Sequence, residues 1–220
     1  MRKTFDAELQ ELNYEMIDMA AAAEDCIDVV IESLTTGDEA AAKSAVEMTR
    51  SMDQMERDIE NRCLRLLLQQ QPVARDLRTI SSALKMISDM ERIGDQAADI
   101  AEMVDYVKDT VAQGKVHITN MARAAVSMVT ESVEAFVQAD MKLAQKVVQD
   151  DDKVDELFSK VRKELIQSLK DESGNPEAIL DLLMIAKYFE RIGDHAVNIA
   201  EWVEYSITGV HKSSEHHQEV

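Results

Sequence analysis

Apolar residues recur at spacings of three and four along most of this 220-residue chain, as in Leu12, Met16 and Met19. This period is typical of amphipathic helices and differs from the alternation expected of strands. Only six Gly and two Pro interrupt the pattern. We therefore predict an all-α fold with six helices of about 20 to 35 residues each. The predicted breaks are Gly37-Asp38, Gln71-Pro72, Gln113-Gly114, Ala139-Asp140 and Ser173-Gly174-Asn175-Pro176.

Three of these breaks contain residues that can start a helix. Asp38, Asp140 and Asn175 each carry a side-chain oxygen that can cap a helix N-terminus. Pro176 suits the first helical position, where its missing N–H has no partner to lose.

The second half of the chain repeats the first at an offset of 99 residues. Residues 91–106 read ERIGDQAADIAEMVDY and residues 190–205 read ERIGDHAVNIAEWVEY, with 11 of 16 positions identical. A repeat of this kind indicates duplication of a structural unit. We predict a tandem pair of antiparallel three-helix bundles at residues 1–112 and 115–208, followed by a polar, disordered tail at 209–220.

Charge and composition exclude several classes of protein. The formal net charge of −19 makes nucleic acid an unsuitable partner, because phosphate binding needs clustered Lys and Arg. No stretch approaches the ~18 consecutive apolar residues of a membrane span, so we expect no membrane insertion. The segment MRKTFDAELQ lacks the apolar region of a signal peptide, and we expect a cytoplasmic protein. Cys26 and Cys63 lie within helical patterns and are expected to be buried and reduced.

The repeated segment carries acidic residues spaced four apart. Glu91 and Asp95 share one helical face in the first copy, and Glu190 and Asp194 share it in the second. Like charges at this spacing destabilise a helix by about 0.2–0.5 kcal/mol. The acids lie opposite the apolar stripe, so a solvated surface face explains one copy without any ligand. Their presence at matched positions in both copies favours a bound cation instead.

Other residues repeat at the same offset. Gly94 and Gly193 recur in mid-helix, where glycine costs about 1 kcal/mol relative to alanine. They indicate close approach by another helix or by a bound group. Three further pairs extend the acidic surface, although the last has a neutral amide in the second copy: Asp53 with Asp152, Glu56 with Asp155, and Asp99 with Asn198.

The candidate ligands are almost all carboxylate oxygens. Such ligands suit magnesium, manganese, calcium or carboxylate-bridged iron. The chain has no Glu-x-x-His motif, which disfavours a ferritin-like di-iron oxidase. It also lacks a glycine-rich phosphate loop and a Gly-x-Ser-x-Gly motif, so we predict no catalytic residues and no enzyme activity. Arg75 and Arg78 follow Pro72 and could cap a helix, form salt bridges or contact a partner.

Three long motifs carry a family resemblance. They are QPVARDLR at residues 71–78, ERIGDQAADIAE at 91–102 and ERIGDHAVNIAE at 190–201. With these motifs the chain closely resembles the PhoU family of phosphate-uptake regulators, and the similarity extends over nearly its whole length.

The resemblance implies a metal cluster on the surface of each bundle, built on Glu/Asp-x-x-x-Asp motifs. It leaves the metal open among iron, zinc, manganese and magnesium. The implied primary ligands are Glu91, Asp95, Glu190 and Asp194, with Asp53 and Asp152 as partners from within each bundle. The implied secondary positions are Glu56, Asp155, Asp99 and Asn198.

The resemblance also implies a cytoplasmic negative regulator of phosphate uptake and of the phosphate-starvation response. Such a protein is expected to be a homodimeric adaptor that links the ATPase subunit of a phosphate ABC transporter to a sensor histidine kinase.

Two other interpretations stay open. The chain could be a helical interaction module whose acids are only solvated, so that any bound metal is incidental. It could also be a metal-dependent hydrolase or oxidase, which we disfavour because no nucleophile or proton-transfer group neighbours the acids.

Overall fold

The computed structural model describes residues 2–69, 72–112, 117–171 and 175–210. These residues form six α-helices and contain no strand, which confirms the predicted all-α fold. No helix in the described part of the chain combines the length and the apolar character needed to cross a lipid bilayer. The helices are α1 (Arg2–Thr36), α2 (Glu39–Gln69), α3 (Ala74–Ala112), α4 (Ile118–Gln138), α5 (Met141–Lys170) and α6 (Pro176–Thr208).

Side-chain caps begin three helices at the predicted positions. In each case a side-chain oxygen accepts a hydrogen bond from the backbone N–H two residues further on. The donor–acceptor distance is 2.8 Å for Asp38 and Asp140, and 3.0 Å for Asn175. Pro176 lies in the first turn of α6, as expected.

Other predicted boundaries are only partly described. Helix α3 has 39 residues and exceeds the expected length. The break predicted at Gln71-Pro72 lies between α2 and α3, although Gln71 itself is outside the described residues. The breaks at Gln113-Gly114 and Ser173-Gly174 also lie outside them, as does the tail from residue 211 onward.

The six helices pack as two groups of three. Helices α1, α2 and α3 contact one another, and α4, α5 and α6 form the second group. The two groups meet through α3 and α6, which make the most extensive helix–helix contact, and through α1 and α4. Their buried side chains form one continuous hydrophobic core. Helices α2 and α5 therefore lie on the two outer sides of the molecule.

Polar contacts join α3 to α6, which run antiparallel. His195 Nδ1 lies 2.8 Å from Asp89 Oδ1, and Asn198 Nδ2 donates to the same oxygen at 3.2 Å. Further along, Tyr188 and Asp99 lie close enough for each to shift the pKa of the other. Asp89 and Tyr188 are equivalent positions at the repeat offset of 99, so the two copies have diverged where they meet.

One arginine ties α2 to α1. Arg62 donates from Nε and Nη2 to the two carboxylate oxygens of Glu15, at 2.6 and 2.7 Å, and from Nη1 to Glu8 at 2.8 Å. The Arg62 side chain is only 15% exposed. A bidentate, half-buried contact of this kind contributes more to stability than an exposed ion pair.

The two cysteines are buried, as predicted. Burial raises the pKa of the Cys26 thiol to about 11 and that of Cys63 to about 12. Both thiols are therefore protonated and unreactive in the folded protein near neutral pH.

Candidate functional site

Two groups of carboxylates lie on the outer sides of the molecule, one in each repeat. In each group, acids on the second helix of the repeat face acids on the third, close enough to influence one another's protonation. The first acidic cluster comprises Asp53, Glu56, Glu91 and Asp95, and the second acidic cluster comprises Asp151, Asp152, Asp155, Glu190 and Asp194.

Mutual repulsion characterises the first acidic cluster. Burial raises the pKa of Glu91 above its ordinary value, and the charges of Asp95 and Glu56 raise it further. Burial and the charge of Asp53 likewise raise the pKa of Asp95. Arg92 opposes both shifts without cancelling them. The structure thus brings together four of the five carboxylates that the sequence analysis placed in this half, the fifth being Asp99.

A lysine, Lys187, lies beside the second acidic cluster. Burial and the charge of Glu190 raise the pKa of Asp194, whereas the ammonium of Lys187 lowers it. Lys187 Nζ forms an ion pair with Glu190 Oε2 and lies 5.6 Å from the centroid of the Phe158 ring. Asp155 adds a further negative charge. One lysine therefore offsets only part of the charge of this cluster.

The sequence prediction missed Asp151. Its Oδ1 atom is buried and has no hydrogen-bond partner among the described residues. Burial raises its pKa to about 6, and the charges of Asp155 and Asp194 contribute to the shift. The repeat comparison gave no hint of this residue, because Met52 occupies the equivalent position. Its spacing of four from Asp155 was the signal that could have found it.

The repeated glycines face the outer helices. A Cβ atom at Gly94 would lie 2.9 Å from Met52 Sδ of α2, so the predicted close approach of another helix is confirmed there. At Gly193 a Cβ would lie 3.5 Å from Asp151 Oδ1 and from Val154 Cγ1 of α5, which is ordinary contact. The side chain that α2 places against Gly94 is therefore closer than the side chains that α5 places against Gly193.

Asp99 and Asn198, the last predicted pair, lie where α3 meets α6 and not in the two acidic clusters. Asp99 lies near Tyr188, which affects its pKa, and Asn198 donates to Asp89, so both side chains interact across the two repeats. The charge of Asp99 still contributes to the raised pKa of Asp95.

The two arginines of the QPVARDLR segment have separate environments. Arg78 Nε donates to the backbone oxygen of Ser206 at 3.4 Å, and its side chain packs beside Gly209. It thereby ties the beginning of α3 to the end of α6. Arg75 is exposed and lines a cleft between the two repeats together with Asn13.

The carboxylates do not form a closed cage. No three His, Cys, Asp or Glu side chains, within the part of the chain that the structure describes, are placed to hold a metal ion together. Like charges favour side-chain orientations that keep them apart. Cation binding would therefore require these side chains to rotate toward a common point.

Comparison with known families identifies this architecture. The PhoU domain matches residues 16–104 and again residues 118–203, and these two matches together cover most of the chain. The chain belongs to the PhoU family. The twofold match also agrees with the internal duplication seen in the sequence.

Relatives of the PhoU family match almost the entire chain. A homolog of the phosphate-specific transport system accessory protein PhoU from Clostridium acetobutylicum is 35% identical over 210 residues, covering 94% of this chain and 96% of the relative. A second homolog of that protein, from Pseudomonas aeruginosa, is 32% identical over 207 residues, covering 93% of this chain and 86% of the relative.

Solved PhoU structures share the fold. The crystal structure of PhoU from Pseudomonas aeruginosa superposes with a TM-score of 0.84 at 31% identity, covering 94% of this chain and 100% of that chain. The phosphate transport system regulatory protein PhoU from Streptococcus pneumoniae gives a TM-score of 0.86 at 28% identity, covering 94% and 98% of the two chains.

The resemblance to the PhoU family implied iron, zinc, manganese or magnesium as the bound metal. The five candidate ligands of the second acidic cluster suit the hard cations of this group. All five are carboxylates, which magnesium, manganese and iron accept readily. The buried Oδ1 of Asp151 supplies an oxygen that accepts no hydrogen bond from any residue that the structure describes. Zinc fits less well, because it favours Cys or His ligands and the neighbouring His195 is already engaged with Asp89 through Nδ1.

Proposed function

We propose that this protein regulates phosphate uptake as an accessory protein of a phosphate ABC transporter. It restrains uptake and the phosphate-starvation response when phosphate is plentiful. The observation that carries this proposal is the match of the PhoU domain to both halves of the chain. Its relatives, which are named as accessory proteins of the phosphate-specific transport system, support it.

Within this role the protein acts as a cytoplasmic adaptor. It links the ATPase subunit of the transporter to a sensor histidine kinase. Its two repeats present separate acidic faces on opposite sides of one rigid helical core, an arrangement suited to two partners at once. Family resemblance implies that it does so as a homodimer, and light scattering of the purified protein measures that state.

Divalent cations bound at the two acidic clusters tune this docking. Burial raises the pKa values of Glu91 and Asp194, and repulsion from neighbouring carboxylates raises them further. The same negative charge would repel an acidic partner. A bound cation neutralises that charge and adds stability by linkage, because the metal binds the folded chain and not the unfolded one.

The protein regulates without catalysing a reaction. Neighbours of the clustered acids include Val154, Phe158 and Lys187, and the one hydroxyl recorded on them among the described residues is that of Ser88, which donates to Glu56 Oε1 at 3.4 Å. Hydrolysis at such a site would require a nucleophile or a proton-transfer group oriented toward the substrate. Metal-loaded protein should therefore show no turnover of phosphate esters above the rate of metal alone.

A gene deletion in the native host tests the regulatory role. Loss of the protein should raise expression of a phosphate-starvation reporter in phosphate-rich medium, and the wild-type gene should restore repression. Reporter expression that stays low after deletion, with no second copy of the gene present, would contradict the proposal.

Binding measurements with the two purified partners test the adaptor role. The ATPase subunit and the cytoplasmic part of the kinase should each bind the metal-loaded protein, and chelation should weaken both interactions. Equal binding before and after chelation would contradict a role for the cations while leaving the regulatory role intact.

Elemental analysis tests the metal sites directly. The comparison uses wild type and a quadruple variant, Glu91→Gln, Asp95→Asn, Glu190→Gln and Asp194→Asn, after incubation with manganese, iron, magnesium and zinc. Metal should be stoichiometric in wild type and lost in the variant. The matched control neutralises four exposed acids of α1 and should keep its metal: Glu11→Gln, Asp18→Asn, Asp25→Asn and Asp28→Asn.

A second candidate is a helical interaction module whose acidic faces are only solvated. The observation that favours it is the lack of a preformed metal cage among the described side chains. It predicts that the quadruple variant binds both partners as wild type does, which separates it from the first proposal.

A further inference from the structure

A furrow runs along the line where α1 of the first repeat meets α4 of the second. Two adjoining clefts form it, with volumes of about 300 and 410 Å³, and Val137 of α4 lines both. The α1 residues that line the furrow run from Asn13 to Glu24, eleven positions apart on one helical face. At about 1.5 Å of rise per residue, the furrow is about 16 Å long, which is three helical turns.

The middle of this furrow is apolar. Ile17 of α1 is 42% exposed, although its side chain is large and aliphatic. Val133 and Val137 of α4 line the other wall, and the small side chains of Ala20 and Ala21 lie between the walls. Removing apolar surface from water is favourable, so a partner that covers this strip gains binding free energy from it.

The two ends of the furrow carry opposite charges. Glu24 marks one end, where it accepts a hydrogen bond from Thr130 of α4 at 2.9 Å, and Glu134 lies one turn further along α4. Arg75 and Asn13 mark the other end. Neither the two carboxylates nor the Arg75 guanidinium forms an ion pair with any residue that the structure describes. These charges are therefore available to groups on a partner.

We propose that the furrow docks an amphipathic helix of a partner protein, about three turns long. The helix carries an acidic residue at the Arg75 end and a basic residue at the Glu24 end. A groove between two helices accepts the apolar side of a third helix, whereas an extended peptide pairs with an exposed sheet edge. The opposite charges of the two ends fix the direction in which the helix binds.

Two features set this surface apart from the rest of the molecule. It lies on α1 and α4, away from the two acidic clusters, so its occupant depends neither on bound metal nor on the proposed adaptor role. A second copy of this chain fits it poorly, because two concave furrows placed face to face leave both apolar strips uncovered.

Nuclear magnetic resonance with a defined probe tests the proposal. The probe is a synthetic helical peptide of about 16 residues, with leucines at spacings of three and four, a glutamate in its first turn and a lysine in its last. On titration into the full chain, the methyl signals of Ile17, Val133 and Val137 should shift. A nitroxide at the glutamate end of the peptide should broaden amide signals near Asn13 more than those near Glu24.

An apolar substitution tests the middle of the furrow. Ile17→Asp should weaken binding of the peptide about tenfold, measured by fluorescence anisotropy, because docking would then bury an unpaired charge. Leu180→Asp is the matched control, since it places the same charge at an exposed leucine of α6 outside the furrow, and it should leave affinity unchanged. Circular dichroism verifies that each variant is folded.

A charge reversal tests the Arg75 end. Arg75→Glu should weaken binding of the same peptide about fivefold. A second peptide with lysine at both ends should bind Arg75→Glu more tightly than it binds Arg65→Glu. These two variants have the same net charge, and Arg65 is an exposed arginine of α2, so the comparison removes the general attraction of a basic peptide to an acidic chain.

Three results would overturn the proposal. One is the absence of methyl shifts along the furrow. The second is an affinity that Ile17→Asp and Arg75→Glu leave unchanged. The third is a wild-type dimer, seen by light scattering, that Ile17→Asp converts to monomers, because the furrow would then belong to an interface with a second copy of this chain.

Discussion

Replacing Asp151 by asparagine should stabilise the metal-free protein near neutral pH. The wild-type carboxylate has a buried oxygen without a hydrogen bond and lies among the negative charges of the second acidic cluster. Asparagine has nearly the same shape and removes the charge. The substitution therefore tests how much electrostatic strain Asp151 contributes to the second acidic cluster.

The size of the effect follows from the pKa of Asp151. A shift from 3.8 to about 6 in the folded state corresponds to about 3 kcal/mol of preference for the protonated form. Because the side chain is partly exposed, solvent screening reduces this to about 1–2 kcal/mol. A stabilisation of about 1–2 kcal/mol is large for a single surface-facing substitution.

The sign of the pH dependence is fixed by the same shift. The folded state holds the Asp151 proton more tightly than the unfolded chain, so wild type loses stability through this group as pH rises from 3.8 toward 6. The penalty is complete above that window and absent below it. The advantage of Asp151→Asn should therefore be greatest at about pH 8 and should disappear at about pH 4.

Chemical denaturation in the presence of a chelator measures this difference. Free energies of unfolding are compared for wild type and Asp151→Asn across the pH range, and Glu156→Gln, at an exposed acid of the same helix outside the second acidic cluster, serves as the control. The control should change stability little at any pH. If Asp151→Asn were neutral or destabilising at about pH 8, or if its effect did not vary with pH, the electrostatic argument would be refuted.

Three further predictions test the packing of the bundles. Gly193→Ala should stabilise the fold by about 0.5–1 kcal/mol, because its Cβ meets neighbours at ordinary distances, whereas Gly94→Ala should gain less, since its Cβ would lie 2.9 Å from a buried sulfur. Urea denaturation compares them, and an equal gain would contradict the difference in clearance. Arg62→Lys should cost about 1–2 kcal/mol in the same assay, because lysine cannot make the bidentate contact with α1, and a neutral result would show that this contact is dispensable. Cys26 and Cys63 should react with a thiol reagent at about pH 8 only after denaturation, and rapid labelling of the folded protein would contradict their burial and raised pKa values.

Much of the fold could be predicted because its signals are local. The spacing of apolar residues determines which segments are helical, and a side-chain oxygen such as that of Asp38 or Asn175 marks where a helix begins. The duplication is visible by comparing the chain with itself, and it located Glu91, Asp95 and their second-repeat counterparts on one face of each repeated helix.

Contacts between helices could not be predicted in the same way. The helical period shows which face is polar, but it does not show which other helix covers that face. Asp99 and Asn198 continue the acidic stripe in sequence, yet the structure uses them to join α3 and α6. Nothing in the sequence indicated that His195 would contact Asp89, which is 106 residues away.

The three consecutive aspartates of α5 separate what the sequence determines from what only the tertiary structure determines. The sequence by itself determined that residues 150–152 are helical and negatively charged. Each residue is rotated by about 100° from the last, so only the packing of α5 against α6 determines the environment of each side chain. Asp150 accepts from two lysines, Asp152 is exposed, and Asp151 directs a buried oxygen toward Gly193. Burial and neighbouring charge depend on how helices pack together, and the second acidic cluster therefore acquires its distinguishing residue only in the folded protein.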